Sequence, residues 1–328
     1  MADHAEDGDD DGDVFIYRGG RRAPQHVSHA RIDDSVDEIE GNAFDRCRNL
    51  LMVDTHDRIR EIRIDAFRDC TSLRHLNLKS AVEIGSNAFF RCKNLESVEF
   101  GDRLETIGGS AFGGCSSLTN LKLPSIIAVR EYAFSNCKRL TEIEFSERLE
   151  TIGSSAFWEC ERLHRIAIPL KRDLFEFDNY FRKYNQFDYC QQLITVDLVG
   201  GIQETVASLH MEGWKTEMIA EIIRINQVLP NTPADDKTEE IRQWMELVVD
   251  KMDHYEAEHC RYVKEGITLL EMAIWKTKLG EKEDDCEERR AKKTKVDSES
   301  VRKEKRITCG ADMNIVIKNV LPFLKLEE

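Results

Sequence analysis

The stretch CKNLESVEFGDRLETIGGSAFGGC, residues 92–115, begins and ends on a cysteine and holds one complete unit of a pattern that fills more than half the chain. Its apolar positions Leu95, Val98, Phe100, Leu104, Ile107, Ala111 and Phe112 are separated by 3, 2, 4, 3, 4 and 1 residues. The same steps recur at Leu50, Val53, Thr55, Ile59, Ile62, Ala66 and Phe67, and at Leu140, Ile143, Phe145, Leu149, Ile152, Ala156 and Phe157. Seven times a Phe stands three residues before a Cys that opens Cys-x-x-Leu. The pairs are Phe44/Cys47, Phe67/Cys70, Phe89/Cys92, Phe112/Cys115, Phe134/Cys137, Phe157/Cys160 and Phe187/Cys190, and successive Phe positions lie 23, 22, 23, 22, 23 and 30 residues apart. A fixed period in this range predicts a solenoid, in which each repeat is one coil stacked on the last.

Within a coil, the L-x-x-L-x-L portion reads as a short strand with its apolar residues inward, and the second apolar pair as another extended segment. Ala-Phe-x-x-Cys reads as a helical turn on the outer side, with Ala where coils approach closely and Phe as a spine. The two shorter repeats drop one residue in one place, at Val82-Glu83-Ile84 and Ile127-Ala128-Val129, which predicts a local turn variant and an unchanged register. At Val27, Ala30, Ile32, Val36, Ile39, Ala43 and Phe44 the spacing is complete, but Pro24 stands where the Cys is expected. This coil, with the strand-like Val14-Phe15-Ile16-Tyr17 before Gly19-Gly20, reads as a cap over residues 14–46 that protects the open end. The seven column cysteines read as small, buried, reduced thiols. A zinc ladder is disfavoured, since zinc needs four converging ligands and no C-x-x-C occurs.

The repeats, together with the pattern AFxxCxxLxxLxLxxxLxxI over residues 27–198, resemble the BspA-like class of leucine-rich repeat. The rest of the chain resembles a set of unicellular-algal proteins that join such repeats to a helical C-terminal region. The stretches that carry this likeness are Asn226-Gln227-Val228-Leu229-Pro230-Asn231-Thr232-Pro233, Ala273-Ile274-Trp275-Lys276 and Asn319-Val320-Leu321-Pro322-Phe323-Leu324. The resemblance implies an α/β solenoid of short strands stacked coil on coil, followed by an α-helical region. It also implies a role in protein interaction, with no enzymatic activity attached.

The solenoid is expected over 14–201, its last coil (169–201) carrying an aromatic insertion: Phe175, Phe177, Tyr180, Phe181, Tyr184, Phe187 and Tyr189. Those rings suit either an aromatic binding pocket or a plug that seals the last coils. From Ile202 the period changes. Ile202, Val206, Leu209, Trp214, Met218, Ile222 and Ile225 fit one amphipathic helix ending near Pro230. Thr232-Pro233 before Asp235 and Asp236 reads as N-cap, N1 and an acidic first turn. A second helical stretch follows through Ile241, Met245, Val248, Met252, Tyr255, Val263, Ile267, Leu270 and Ile274, with Gly266 as a point of kinking. These segments make a helical hairpin region over 202–280. Residues 281–306 read as a charged linker, and 307–328 as an apolar segment folding back on the helices.

The formal charge of −15, with 33% charged residues, disfavours nucleic acid as a partner. No apolar run reaches the ~20 residues of a membrane span. Residues 1–13 read as a disordered acidic tail rather than a signal peptide, so a reducing cytoplasmic location is expected. The cluster Arg289, Arg290, Lys292, Lys293 and Lys295 offers nuclear import as the alternative. His254, His259 and Cys260 come nearest to a metal motif, but a five-residue step sets the two His on different helix faces. There is no GxxxxGK[ST] loop and no Gly-x-Ser-x-Gly elbow. The reading is therefore a non-enzymatic, monomeric interaction scaffold without cofactor. A nuclear regulator or adaptor is the alternative, and a surface adhesin a weaker one. The expected binding face comprises the outward strand positions His75, Asn77, Ser97, Glu99, Asn120, Lys122, Glu142, Glu144 and Arg165, with Met52/Asp54 before them and Ala167 after. Acids toward the middle of this row suit a protein or peptide partner with some basic character.

Overall fold

The computed structural model describes residues 14–176, 185–209 and 211–291. In chain order its strands are β1 Val14–Tyr17, β2 His29–Ile32, β3 Glu38–Ile39, β4 Met52–Asp54 and β5 Glu61–Ile62. There follow β6 His75–Leu78, β7 Glu83–Ile84, β8 Ser97–Phe100, β9 Thr106–Ile107 and β10 Asn120–Leu123. Last come β11 Ala128–Val129, β12 Glu142–Phe145, β13 Thr151–Ile152, β14 Arg165–Pro169 and β15 Thr195–Val199. All strand pairings are parallel. The two-residue strands form one sheet of six, β3-β5-β7-β9-β11-β13. The longer strands form the ladders β1-β2-β4, β6-β8 and β10-β12-β14-β15 on a second side of each coil. The registers join equivalent repeat positions, for example Lys122 with Glu144 and Glu142 with Arg165.

The core is the repeat seen end on. Phe44, Phe67, Phe89, Phe112, Phe134, Phe157 and Phe187 are all fully buried. They stack as one column with centroids 4.9–5.5 Å apart and planes within 12° of parallel. Each Phe N–H from 44 to 134 donates to the carbonyl of the Ala in the next coil, at 2.7–2.8 Å. The coils are thus tied by backbone bonds as well as by rings.

The outer arm is not the helical turn the sequence suggests. It is a succession of tight turns, because the residue before each Ala and the residue before each Cys take positive φ. In one coil these are Asp65 (56°) and Asp69 (56°), and in another Tyr132 (56°) and Asn136 (60°). Two left-handed residues per coil cannot propagate an α-helix. Their strain is offset by further inter-coil bonds such as Arg46 N–H to the Arg68 carbonyl at 2.7 Å. The shorter coils turn their corner with a buried serine, the Ser125 hydroxyl donating to Leu104 O at 2.8 Å, and the register is kept as expected.

The described residues fall into two compact units, one of the chain up to Val206 with Met218–Val249, the other of Ala207–Glu217 with the chain from Asp250 on. Instead of a single helix up to Pro230 there are α1 (Ile202–Ser208) and α2 (Glu212–Val228). Trp214 and Lys215 donate to Met211 O as the new helix starts, with Gly213, a weak helix former, in its first turn. Thr232 and Pro233 do not open the second helix: 3-10 turns at Leu229–Asn231 and Ala234–Asp236 intervene, and α3 runs from Lys237 to Ala291. It passes Gly266 and the expected boundary at 280 without a break. Residues 281–291 are mostly Glu, Lys and Arg, which propagate a helix well.

Candidate interaction surface

Alternation along the long strands divides core from surface. Leu76, Val98, Leu121, Ile143 and Ile166 are buried, while His75, Asn77, Ser97, Glu99, Asn120, Lys122 and Glu144 are exposed. Glu142 and Arg165 are half-buried, and Ala167 is 1% exposed, so the open row ends at Arg165 rather than one position later. The structure thereby places all nine expected residues on one side of the stacked strands.

Polar bonds along this face run from coil to coil. His75 Nδ1 lies 2.8 Å from Ser97 Oγ, and Thr141 donates to Asn120 Oδ1 at 2.6 Å. The Lys79 ammonium, 2.7 Å from Glu99, holds that carboxyl below its usual range. Glu144 is 3.9 Å from Lys122. Glu142 is 3.7 Å from Arg165 and 3.4 Å from His164, and Arg165 reaches Asp197 at 2.7 Å. At the other end Asp54 meets His29 at 3.1 Å and Arg31 at 3.6 Å. The acids in the middle of the row are therefore each answered by a neighbouring cation. Sequence reading missed Lys79, His164 and Asp197, which lie beside the alternating positions. It gave Met52 its place in the row, where with Leu51 it makes an apolar spot, each 54% exposed.

Such exposed pairs are weak, about 0–1 kcal/mol each, so an incoming group can exchange for either member at little cost. Strands fixed by the stack beneath them supply a rigid platform for that exchange.

The other thiol-rich and aromatic features belong to the core. The seven column cysteines are free and fully buried. From Cys70 to Cys190 each Sγ donates to the carbonyl of the Phe in the previous coil, at 3.0–3.3 Å. Burial pushes all seven thiols up, that of Cys47 to about 11, away from the thiolate a nucleophile needs. Of the aromatic insertion, Phe175 packs edge-on against Phe187 at 5.9 Å, and both are core. Ile152 pairs with Phe175 as an isolated bridge, so the insertion returns to the position of a further short strand. Tyr189 is 41% exposed, and Phe177, Tyr180, Phe181 and Tyr184 lie outside the described residues. Arg289 and Arg290 lie in the last turn of α3, where only the backbone is described, and Lys292, Lys293 and Lys295 lie outside the described residues. Among the described residues, no group of three or more His, Cys, Asp or Glu is placed to hold a metal ion, and no helix is long and apolar enough to cross a membrane.

The family model for the "BspA type Leucine rich repeat region" matches in six copies, over residues 24–119 and 105–209. Among solved structures, the chain is similar to the leucine-rich repeat protein of T. pallidum, at 25% identity and a TM-score of 0.38, covering 47% of this chain and 78% of that one. It is also similar to a leucine-rich repeat protein from Bacteroides ovatus, at 22% identity and a TM-score of 0.36, covering 57% of this chain and 69% of that one. A leucine-rich repeat protein from Eubacterium ventriosum matches at 16% identity and a TM-score of 0.38, over 57% and 54% of the two chains. None of the curated proteins matches the sequence.

Proposed function

The chain belongs to the BspA-type leucine-rich repeat family, and from that premise we propose that it is a non-enzymatic recognition scaffold whose long-strand face binds another protein or peptide. The observation that carries this reading is the row from His75 to Arg165, solvent-facing polar groups on strands held in fixed register. A rigid, pre-ordered face loses little entropy on binding. The favoured centre is β10–β12–β14, where Glu142 and Glu144 sit between Lys122 and Arg165. A partner's basic side chains would displace Lys122 and Arg165 as the ion partners of these two carboxylates, which makes recognition salt-dependent. The column of free, buried thiols favours a reducing, cytoplasmic setting for this activity.

The test begins with purified full-length chain as bait in extracts of its native cells, with partners identified by mass spectrometry. Each partner is then titrated against wild type and against Glu142→Lys/Glu144→Lys. The expected result is an affinity at least tenfold weaker in the double variant, about 1.4 kcal/mol, with the gap narrowing at high salt. An affinity indifferent to the double change would move the binding surface elsewhere.

A further inference from the structure

Helix α3 carries an apolar stripe that outruns the helix beside it. In its first half, Ile241, Trp244, Met245, Val248 and Tyr255 are buried. At about 100° per residue, the same stripe continues through Tyr262, Gly266, Leu269, Leu270, Ala273 and Ile274. Trp214 of α2 stacks on Tyr255 at 5.0 Å and reaches Tyr262 at 6.3 Å. Glu217 accepts from the Tyr255 hydroxyl at 2.5 Å and pairs with Lys251 at 3.0 Å. But α2 begins at Glu212, and beyond Tyr262 the stripe is partly open to solvent: Leu269 is 47% exposed and Ile274 46%, with Leu270 and Ala273 half-buried between them. A contiguous apolar surface of this kind marks an interaction site.

The chain itself supplies a matching occupant. Residues 281–288 hold six acids against Lys282, whereas 292–306 hold seven basic residues against three acids. A reversal after Ala291 would bring the basic run alongside the acidic turns. Beyond it come Ile315, Val316, Ile317, Val320, Leu321, Phe323 and Leu324. The length also fits: from Ile274 to Ala291 the helix rises about 26 Å, and a connection as long as 292–314 with coil dimensions would span roughly 24–29 Å. A second copy is the weaker candidate, since each chain carries a net charge of −15, whereas a tethered segment acts at an effective concentration of order millimolar.

We propose that the α3 stripe from Tyr262 to Ile274 is a docking surface for the chain's own residues 315–324, delivered by charge pairing between 281–288 and the basic run after Ala291.

Hydrogen exchange by mass spectrometry on the full chain tests this, comparing wild type with Leu321→Asp/Phe323→Asp. Peptides covering 264–278 should exchange at least tenfold faster in the variant, with solenoid peptides such as 104–118 unchanged. A synthetic peptide of residues 313–326, added in excess, should restore the protection. Should the double variant disturb the solenoid, Ile317→Asp is read by the same comparison. Equal exchange over 264–278 in wild type and variant overturns the proposal. So does protection that fades on dilution together with a dimer mass by light scattering, which would make a second copy the occupant.

Discussion

An interior coil and the last coil solve the same problem with different materials. The Phe112 N–H donates to the Ala133 carbonyl, a backbone group that the next repeat supplies automatically. Phe187 has no repeat after it, and its N–H donates instead to the Thr238 hydroxyl at 3.0 Å. The edge of β15 is met in the same way: the Asn226 amide accepts from Val196 N–H at 2.7 Å and returns a bond to Val196 O at 3.2 Å, as a neighbouring strand would. Lys237, 2% exposed, spends its ammonium on the carbonyls of Gln191 (3.0 Å) and Leu193 (2.5 Å). Repetition satisfies the backbone inside the stack. At its end three unrelated side chains must do so, because an open edge invites pairing with another chain.

The largest effect expected from this contrast is alkaline instability of the repeats. Burial lifts all seven column thiols above their free value of 9.0, so the unfolded chain releases those protons first. Their contribution is complete below pH 9 and is lost as pH rises, at up to ~1.4 kcal/mol per thiol per pH unit. At Lys237, which closes the last coil, the sign is opposite. Burial lowers Lys237 below 10.5, so the unfolded chain binds more protons there and stability grows with pH, but through a single group. Seven groups outweigh one. Urea midpoints measured from pH 8 to 10 should fall, and Cys115→Ala should flatten the slope by about one proton. A flat profile would mean that the column is not a set of buried thiols.

Next in size is the Phe column. Phe112→Ala should cost roughly 3–5 kcal/mol, since the ring is stacked on both sides, by Phe89 at 5.1 Å and Phe134 at 5.4 Å. Phe187→Ala and Phe44→Ala, each with a ring of the column on one side alone, should cost less. Equal shifts in denaturant midpoint at all three would break the nearest-neighbour account of stability.

Smaller again is the loss at the solenoid's end. Thr238→Val should cost about 1–3 kcal/mol by orphaning the buried Phe187 N–H. The measurement is the denaturant midpoint with unchanged m-value, and a neutral result would mean that the end needs no side-chain substitute for a coil.

The same contrast explains what could be read in advance. The Phe and Cys columns, the strand positions and the register follow from a period, and a period is visible in one dimension. Thr238, Lys237 and Asn226 follow no period, and each meets its partner across 30 or more residues. Thr232-Pro233 has the chemistry of a helix start, but the chain begins α3 at Lys237, where two successive side chains are committed to the last coil. Ala-Phe-x-x-Cys reads as helical by composition, and only the paired left-handed residues, some as unexpected as Arg46 and Glu159, reveal turns. On the exposed long-strand face, alternation placed the nine residues, while Lys79, His164 and Asp197 had no pattern to announce them.

The smallest stability effect should come from the face itself. Glu142 and Glu144 keep 47% and 50% of their side chains in solvent, and their cationic neighbours Arg165 and Lys122 stand 3.7 and 3.9 Å away. Exposed pairs at that spacing contribute ~0–1 kcal/mol, and a lysine at 144 beside Lys122 adds only a screened repulsion. Neither side chain bonds a backbone group in the way Thr238 does. Glu142→Lys/Glu144→Lys should therefore move stability by no more than about 1 kcal/mol, read as the urea midpoint at pH 7. A loss above ~2 kcal/mol would place these carboxylates with Lys237 and Thr238, as parts that hold the stack together. A small shift would leave the face free to have been shaped by what it binds, which is the condition any recognition surface on a repeat scaffold must meet.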